Sequence, residues 1–219
     1  MDYLLSSPTI QYCEIAISNV LIARPWYALS NLAFIIVGVL ILIRGGRHSQ
    51  LFGSIAILVG ALSFIYDVSY TYLSQLLDLS GMLLLICLLL YLNLRLVMRH
   101  KTLVRTLILG FVMSLCLIIA FKGFAGNIIF GLLVITYIAI ELYLLKTKQH
   151  IGVQRWLLIL SIFLIGFLFW LGDASRVYCS DIGILNGRAV FHYTNAMTIY
   201  ALFMFYRLQG EGISSKSRL

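Results

Sequence analysis

The sequence predicts an all-α integral membrane protein that crosses the bilayer as seven transmembrane helices. Of its 219 residues, 62% are hydrophobic, 11% are charged and only two are proline. A helix needs about 20 consecutive, mainly apolar residues to cross a membrane, and the chain supplies seven such stretches. Its basic residues also fall mainly in alternate connections between those stretches. Hydropathy and charge therefore indicate the same architecture.

The predicted spans follow one another with short connections. In chain order they cover residues 27–44, 52–70, 77–97, 104–121, 125–145, 156–172 and 188–207. The sizeable segments on one side of the membrane are residues 1–26 and 173–187. Because no soluble domain interrupts the spans, we assign residues 1–209 to a single seven-helix membrane domain. Residues 210–219 are polar and rich in Gly and Ser, and we assign them to a cytoplasmic tail.

Basic residues give the predicted orientation, because cytoplasmic connections of membrane proteins are enriched in Lys and Arg. One side carries only Arg24, Lys122, Arg176 and Arg188. The other side holds the connections after the first, third and fifth spans and the C-terminal tail. It carries Arg44, Arg47, Arg95, Arg99, Lys101, Arg105, Lys146, Lys148, Arg155, Arg207, Lys216 and Arg218. We therefore expect the N-terminus outside and the C-terminus in the cytoplasm of a multi-pass protein, in a bacterial inner membrane or an endomembrane.

Several functional classes fit this pattern poorly. The net charge of +8 is largely the orientation signal, and no folded basic surface interleaved with aromatic residues is predicted, so we expect no nucleic-acid partner. A retinal protein needs a lysine in its last helix, and residues 188–207 contain none. Transporters often have broken helices, whereas both prolines, Pro8 and Pro25, precede the first span.

The four cysteines divide by depth in the predicted topology. Cys87 and Cys116 lie inside apolar spans, where a cysteine is usually an inert small hydrophobe. Cys13 and Cys179 lie in the two outer segments. They are either two free thiols or a disulfide, and the oxidising outer compartment favours the disulfide.

Charged and polar residues near the outer ends of the spans are the candidates for function, because lipid makes a charge inside a span cost about 3 kcal/mol. One interpretation is an outer-facing polar pocket, and the alternative is that each residue only marks a helix end at the headgroups. Ser63 lies one turn below Asp67 on the same helix face. The full set in or beside this pocket is Ser63, Asp67, Asp78, Asp173, Arg188 and His192.

Four short motifs resemble those of the alkaline ceramidases, which belong to the CREST superfamily of seven-transmembrane hydrolases. The resemblance covers nearly the whole chain, with the motifs in the same order on the corresponding spans. The motifs are Tyr12-Cys13-Glu14 with Ala23-Arg24-Pro25-Trp26, Ser63-Phe64-Ile65-Tyr66-Asp67 with Gln75-Leu76-Leu77-Asp78, Phe169-Trp170-Leu171-Gly172-Asp173 with Cys179, and Asn186-Gly187-Arg188 with His192 and Tyr200.

The resemblance implies a zinc-dependent hydrolase acting on the amide bond of a membrane lipid. The family pattern has three histidine ligands, with a serine and an aspartate serving the zinc-bound water and the oxyanion. Ser63, Asp78 and His192 match the serine, the aspartate and one histidine. Cys13 and Cys179 match the family's disulfide pair.

The departures from the family pattern fall on its metal ligands. Asp67 and Arg188 stand at the other two zinc positions. Near the N-terminus, Glu14 remains of a calcium site, but Arg24 replaces an acidic ligand and Ala16 lies near the position of an amide ligand. We therefore expect no bound calcium.

A three-histidine zinc site is excluded by the histidine count. His48, His100 and His150 belong to inner connections, so only His192 is available outside. A retained zinc ion would need Asp67, His192 and Asp78, which are acceptable ligand types. Arg188 opposes it, since a guanidinium has no lone pair and adds a cation. We hypothesise that an Asp67–Arg188 salt bridge, bidentate in geometry, replaces the zinc.

Two functions follow. In the first, we expect a ceramidase-like hydrolase of a lipid amide or ester bond. With zinc absent, His192 would be the general base, Ser63 the nucleophile or oxyanion donor, and Arg188 would stabilise negative charge. The alternative is a catalytically inactive scaffold that binds a lipid or a membrane partner in the former active site. In both cases the expected ligand is a ceramide-like or other N-acyl lipid.

Overall fold

A computed structural model describes residues 6–17, 20–96, 98–121, 125–147, 152–180 and 182–216. Within this part the chain is 80% helical and has no strand, as the sequence predicts. The elements are α1 (Pro25–Ser30), α2 (Leu32–Arg44), α3 (Ser49–Ser69), α4 (Tyr72–Leu94), α5 (His100–Ala120), α6 (Ala125–Lys146), α7 (Val153–Ala174), a 3₁₀ turn (Gly183–Leu185) and α8 (Gly187–Lys216). Lys122, Lys148, His150 and Arg218, which enter the orientation and histidine arguments, lie outside the described residues.

Six helices of the described chain are long and apolar enough to cross a membrane, judged by length and composition. They are Pro25–Arg44, Ser49–Ser69, Tyr72–Leu94, His100–Ala120, Gly126–Lys146 and Val153–Ala174. The seventh predicted span, 188–207, lies within α8, which is helical but is not one of the six. Polar residues such as His192, Asn195 and Thr198 lower its hydropathy. The seven-span count therefore stays a prediction.

The first of two compact units comprises residues 1–78 and 152–219. In it, α2 packs against α3 and α8, and α7 packs along α8. Helix α8 is thus an internal element of the unit, with Ala189, Ala196 and Phe203 fully or almost fully buried. It continues to Lys216, into the stretch assigned from sequence to the polar tail.

The N-terminal segment of this unit folds back onto the helix ends. Backbone bonds from Ala23 N to Val68 O (3.1 Å) and from Arg24 N to Asp67 O (3.0 Å) attach it to the end of α3. An aromatic core forms beneath it from Ile10, Tyr12, Tyr27, Tyr66 and Ala189. This packing places Arg24, just before α1, beside the polar end of α3.

The second unit comprises residues 79–151 and contains the rest of α4 with α5 and α6. Helices α5 and α6 pack against each other. Two fully buried polar side chains meet here, since the Asn93 amide donates to Glu141 Oε2 at 2.8 Å. All the site residues predicted from sequence lie in the first unit.

Candidate functional site

Asp67, near the end of α3, lies at the centre of a buried ionic cluster. Arg24 Nη2 donates to Asp67 Oδ1 at 2.5 Å, and neither side chain is exposed to solvent. Asn31 Nδ2 donates to the other oxygen, Oδ2, at 2.8 Å. Both carboxylate oxygens are therefore engaged, as a buried charge requires.

Four tyrosine rings surround the Arg24 guanidinium. Its Cζ lies 4.2 Å from the ring centroid of Tyr70, 4.7 Å from that of Tyr66, and 5.4 Å from those of Tyr12 and Tyr27. Arginine over an aromatic face gains cation–π attraction, and more when it is desolvated. Among the described residues, the Nε and Nη1 groups have no hydrogen-bond acceptor, and the guanidinium lies against the tyrosine rings.

Arg188, at the start of α8, contacts two aspartates. Its Nε lies 3.5 Å from Asp67 Oδ1, and its Nη2 lies 3.3 Å from Asp78 Oδ2. The contact with Asp67 is a single approach without hydrogen-bond geometry, rather than the bidentate pair expected from sequence. The closest cation to Asp67 is therefore Arg24.

Ser63 and Asp78 form a pair beside Arg188. The Ser63 hydroxyl donates to Asp78 Oδ1, and both residues are buried. Asp78 thus accepts from a hydroxyl on one oxygen and from a guanidinium on the other. A carboxylate held in this way is hydrogen-bonded on both oxygens, as a buried polar group requires.

Asp173, at the end of α7, connects three segments of the chain. It accepts from the backbone N–H of Cys13 at 2.7 Å, the Tyr27 hydroxyl at 2.7 and 2.9 Å, and the backbone N–H of Arg188 at 2.6 Å. The last bond places a carboxylate at the first turn of α8, where an anion is favourable. Asp173 is fully buried, so it fastens the N-terminal segment and α1 to α7 and α8.

Glu14 fixes the start of α1. Its two oxygens accept from the backbone N–H groups of Trp26 and Tyr27, both at 2.9 Å. Partial burial raises the pKa of Glu14 despite these bonds. Burial likewise raises the pKa of the Tyr12 hydroxyl, against the lowering effect of Arg188 and Arg24.

His192 lies one turn along α8 from Arg188 and has its own partner. Its Nδ1 is 2.7 Å from Ser30 Oγ, which is also 2.7 Å from the Tyr27 carbonyl oxygen. A hydroxyl has one proton, so Ser30 donates either to the carbonyl or to the imidazole, and the histidine tautomer follows from that choice. Ser63 bonds to Asp78 and His192 to Ser30, and within the described residues no hydrogen bond links Ser63 to His192.

Cys13 and Cys179 form a disulfide, with a Cα–Cα distance of 5.4 Å. The bond joins positions 166 residues apart and ties the N-terminal segment to the segment after α7. Cys87 and Cys116 are free. The expected disulfide is therefore confirmed, and it lies next to the backbone N–H that binds Asp173.

The structure brings together four of the charged residues that the sequence predicts at the outer helix ends: Asp67, Asp78, Asp173 and Arg188. His192 lies at the side of this cluster. Sequence reasoning missed the part played by Arg24, which it treats only as an outer basic residue and as the replacement of a calcium ligand. It also missed Asn31 and the tyrosines around Arg24. The position of Arg24 next to Pro25 signals a helix start, but it gives no indication of a partner 43 residues away.

The fold is that of a helical protein with several candidate membrane spans. Its helix ends enclose a buried cluster of arginine, aspartate and tyrosine side chains. The model of the family described as Ceramidase matches residues 5–213. The chain therefore belongs to the ceramidase family. No curated protein matches the sequence.

Proposed function

We propose that this protein binds an N-acyl lipid as a zinc-free member of the ceramidase family. The observation that carries the proposal is the Arg24–Asp67 pair, because Asp67 stands at a position where the family resemblance expects a zinc ligand. Arg24, Arg188 and Asn31 already occupy the region around its carboxylate. The family supports a lipid amide as the class of ligand.

The residues present do not fit a zinc ion. Two guanidinium groups contact the carboxylate that would have to bind the metal, and neither can supply a lone pair. A dication beside two permanent cations would also be repelled. In the described residues, no group of three or more His, Cys, Asp or Glu side chains is placed to hold a metal. We therefore assign no zinc-dependent step to this site.

The proposal includes the seven-span topology, with the N-terminus outside. Helix α8 supports it as the seventh span, because it packs between α2 and α7, both in candidate spans. Its polar residues Arg188, His192 and Thr198 are buried, which is how a membrane helix keeps polar groups away from lipid. The cluster then lies at the outer ends of the helices.

A second candidate is metal-free hydrolysis through Ser63. The Ser63–Asp78 hydrogen bond favours it, since it places a carboxylate next to a hydroxyl that could attack a carbonyl. Arg188 Nη2, bonded to the same aspartate, could stabilise negative charge on the attacked oxygen. His192 would have to leave Ser30 to take part.

One set of assays separates these functions. Purified protein in a neutral detergent is incubated with a fluorescent short-chain ceramide, with and without a chelator, and both free fatty acid and bound ceramide are measured. We expect saturable binding without chelator-sensitive release of fatty acid. A neutral diacylglycerol with the same fluorophore is the matched control ligand.

The variant Ser63→Ala completes the comparison. Turnover that resists the chelator and disappears in Ser63→Ala would show metal-free hydrolysis through Ser63 and would contradict a purely binding function. Chelator-sensitive turnover would contradict the proposal and indicate a metal hydrolase. Equal binding of ceramide and diacylglycerol, without turnover, would remove the support for a specific N-acyl lipid.

A further inference from the structure

The turn between α2 and α3 borders a cavity at the opposite end of these helices from the ionic cluster. The cavity has a volume of about 510 Å³ and is lined by Leu42, Gly45, Gly46, His48, Ser49, Gln50 and Leu51. Gly45, Gly46 and His48 have positive φ angles of 63°, 94° and 67°. This tight turn brings the first residues of α3 to the cavity wall.

Two kinds of unpaired hydrogen-bonding group line the cavity. Ser49 is only 7% exposed, and its hydroxyl has no recorded partner among the described residues, since only its backbone N–H is bonded, to Gly46 O. Because α3 has no side-chain cap, the N–H groups of Gln50 and Leu51 also face the turn without an acceptor in the described chain. A long helix with free N-terminal N–H groups favours an anion.

Three arginines lie near this turn, although none of them lines the cavity itself. Arg44 precedes the lining glycines and Arg47 lies between them and His48. A Cβ added to Gly46 would lie 3.4 Å from the Cζ and Nε atoms of Arg207, so that guanidinium rests directly on the turn. Arg44 Nη1 donates to Tyr200 OH at 3.1 Å, which holds α2 against α8 at the same level. The sequence has no acidic residue between positions 15 and 66.

We propose that this cavity binds a phosphate group. The Ser49 hydroxyl and the N–H groups of Gln50 and Leu51 would donate to the phosphate oxygens, and Arg47 and Arg207 would balance the charge. A phospholipid headgroup and free inorganic phosphate present the same chemistry. The site is separate from the cluster around Asp67 and does not depend on the function proposed for it.

Isothermal titration calorimetry of the purified full chain in neutral detergent tests the site with three probes. They are dihexanoyl phosphatidic acid, dihexanoylglycerol as its phosphate-free counterpart, and inorganic phosphate. We expect a saturable 1:1 isotherm with a phosphate-bearing probe and none with dihexanoylglycerol. Binding of the lipid alone identifies a headgroup site, whereas equal binding of inorganic phosphate identifies a site for the free anion.

Variants then test the residues. Ser49→Ala and Arg47→Gln each should weaken binding about tenfold, the loss expected for one hydrogen bond to a charged group. Arg105→Gln removes an exposed charge from α5 and should leave Kd unchanged. Arg47 is exposed and has no partner in the described part of the chain, so we expect its variant to keep the fold, which circular dichroism checks. The proposal is overturned if no phosphate probe binds, if dihexanoylglycerol binds equally, or if Arg105→Gln weakens binding as much as Arg47→Gln.

Discussion

At the scale of single residues, the most important contact is the ion pair between Arg24 and Asp67. A buried carboxylate is stable only when it is paired, and Arg24 is the partner of Asp67. Removing one partner of a buried pair is costly because the other is left as an uncompensated charge, whereas replacing both by apolar residues can be nearly neutral. The tyrosine rings around Arg24 also lose their cation when it is removed. Replacing both residues together therefore tests the ion pair better than replacing either residue alone.

Arg24→Met should lower the free energy of unfolding by about 3–5 kcal/mol, since Asp67 would be left buried without its closest cation. The double variant Arg24→Met/Asp67→Leu should recover most of that loss. Denaturation in mixed micelles measures both. Arg176→Gln, which removes an exposed arginine bonded to Gln11, is the control and should change stability by less than about 1 kcal/mol. A double variant as unstable as the single one would contradict the pairing.

Glu14 gives a pH dependence of definite sign. Partial burial raises its pKa in the folded protein, so the folded state holds its proton more tightly than the unfolded state. Its contribution to stability is complete below the unfolded pKa and is lost as pH rises through the raised pKa. Unfolding measured across acidic pH for the wild type and Glu14→Gln should differ by a slope of that sign. A difference that grows in the opposite direction would show that the backbone N–H bonds dominate.

Residue types and positions predicted part of the cluster from sequence. A carboxylate and a guanidinium on separate spans, each costly in lipid, pointed to Asp67, Asp78 and Arg188. The sequence did not indicate a partner for Arg24, because Arg24 lies outside the first predicted span. An arginine there can remain in water and needs no partner. The burial of Arg24 depends on how the N-terminal segment folds back onto α3, which no local pattern encodes.

At the scale of elements, the start of α8 depends on close approach to α7. A Cβ on Gly187 would overlap the Phe169 carbonyl oxygen and lie 2.9 Å from Asp173 Cβ. Glycine at this position therefore lets the Arg188 N–H reach the Asp173 carboxylate. The same two helices approach closely at Gly166, where a Cβ would overlap Thr194.

Gly187→Ala should destabilise the protein by about 1–3 kcal/mol, because backbone atoms of α7 cannot move aside as a flexible side chain could. Thermal denaturation in detergent measures the effect. Gly110→Ala in α5 is the matched control, since an added Cβ there meets nothing within 4 Å. Equal effects of the two substitutions would show that helix propensity, rather than the approach of α7 and α8, determines the outcome.

The disulfide is the covalent tie between the N-terminal segment and the segment after α7. The double variant Cys13→Ala/Cys179→Ala should lose about 2–5 kcal/mol of stability, since the bond closes a long loop in the unfolded chain. Cys116→Ala removes a free, exposed thiol and should have no such effect. A reductant that shifts the melting temperature of Cys116→Ala but not of the double variant would support the assignment. Equal melting temperatures for the wild type and the double variant would contradict it.

The helices themselves were largely predictable, because long apolar runs leave few alternatives to a membrane helix. The limits of the third predicted span, 77–97, differ from α4 (Tyr72–Leu94), since polar Ser74 and Gln75 are helical although they are not apolar. The seventh predicted span, 188–207, shows the limit of hydropathy as a signal. Its buried polar face in α8 reduces the very signal by which a span is recognised.

At the scale of the whole molecule, membership of the ceramidase family and the chemistry of this chain point in different directions. The family supports a lipid amide as ligand, while two guanidinium groups contact the Asp67 carboxylate, which the proposal places at a former zinc position. A protein that keeps the fold and fills its former metal centre with a buried ion pair would retain the lipid site without the zinc chemistry. The central claim is therefore the absence of a functional zinc centre at Asp67.

Elemental analysis of the purified, metal-equilibrated protein tests this claim most directly. After incubation with excess zinc and removal of unbound ions, we expect far less than one zinc per chain, with no difference between wild type and His192→Ala, because the Asp67 carboxylate is already bonded to Arg24 and Asn31. Near one zinc per wild-type chain, lost in His192→Ala, would contradict the account.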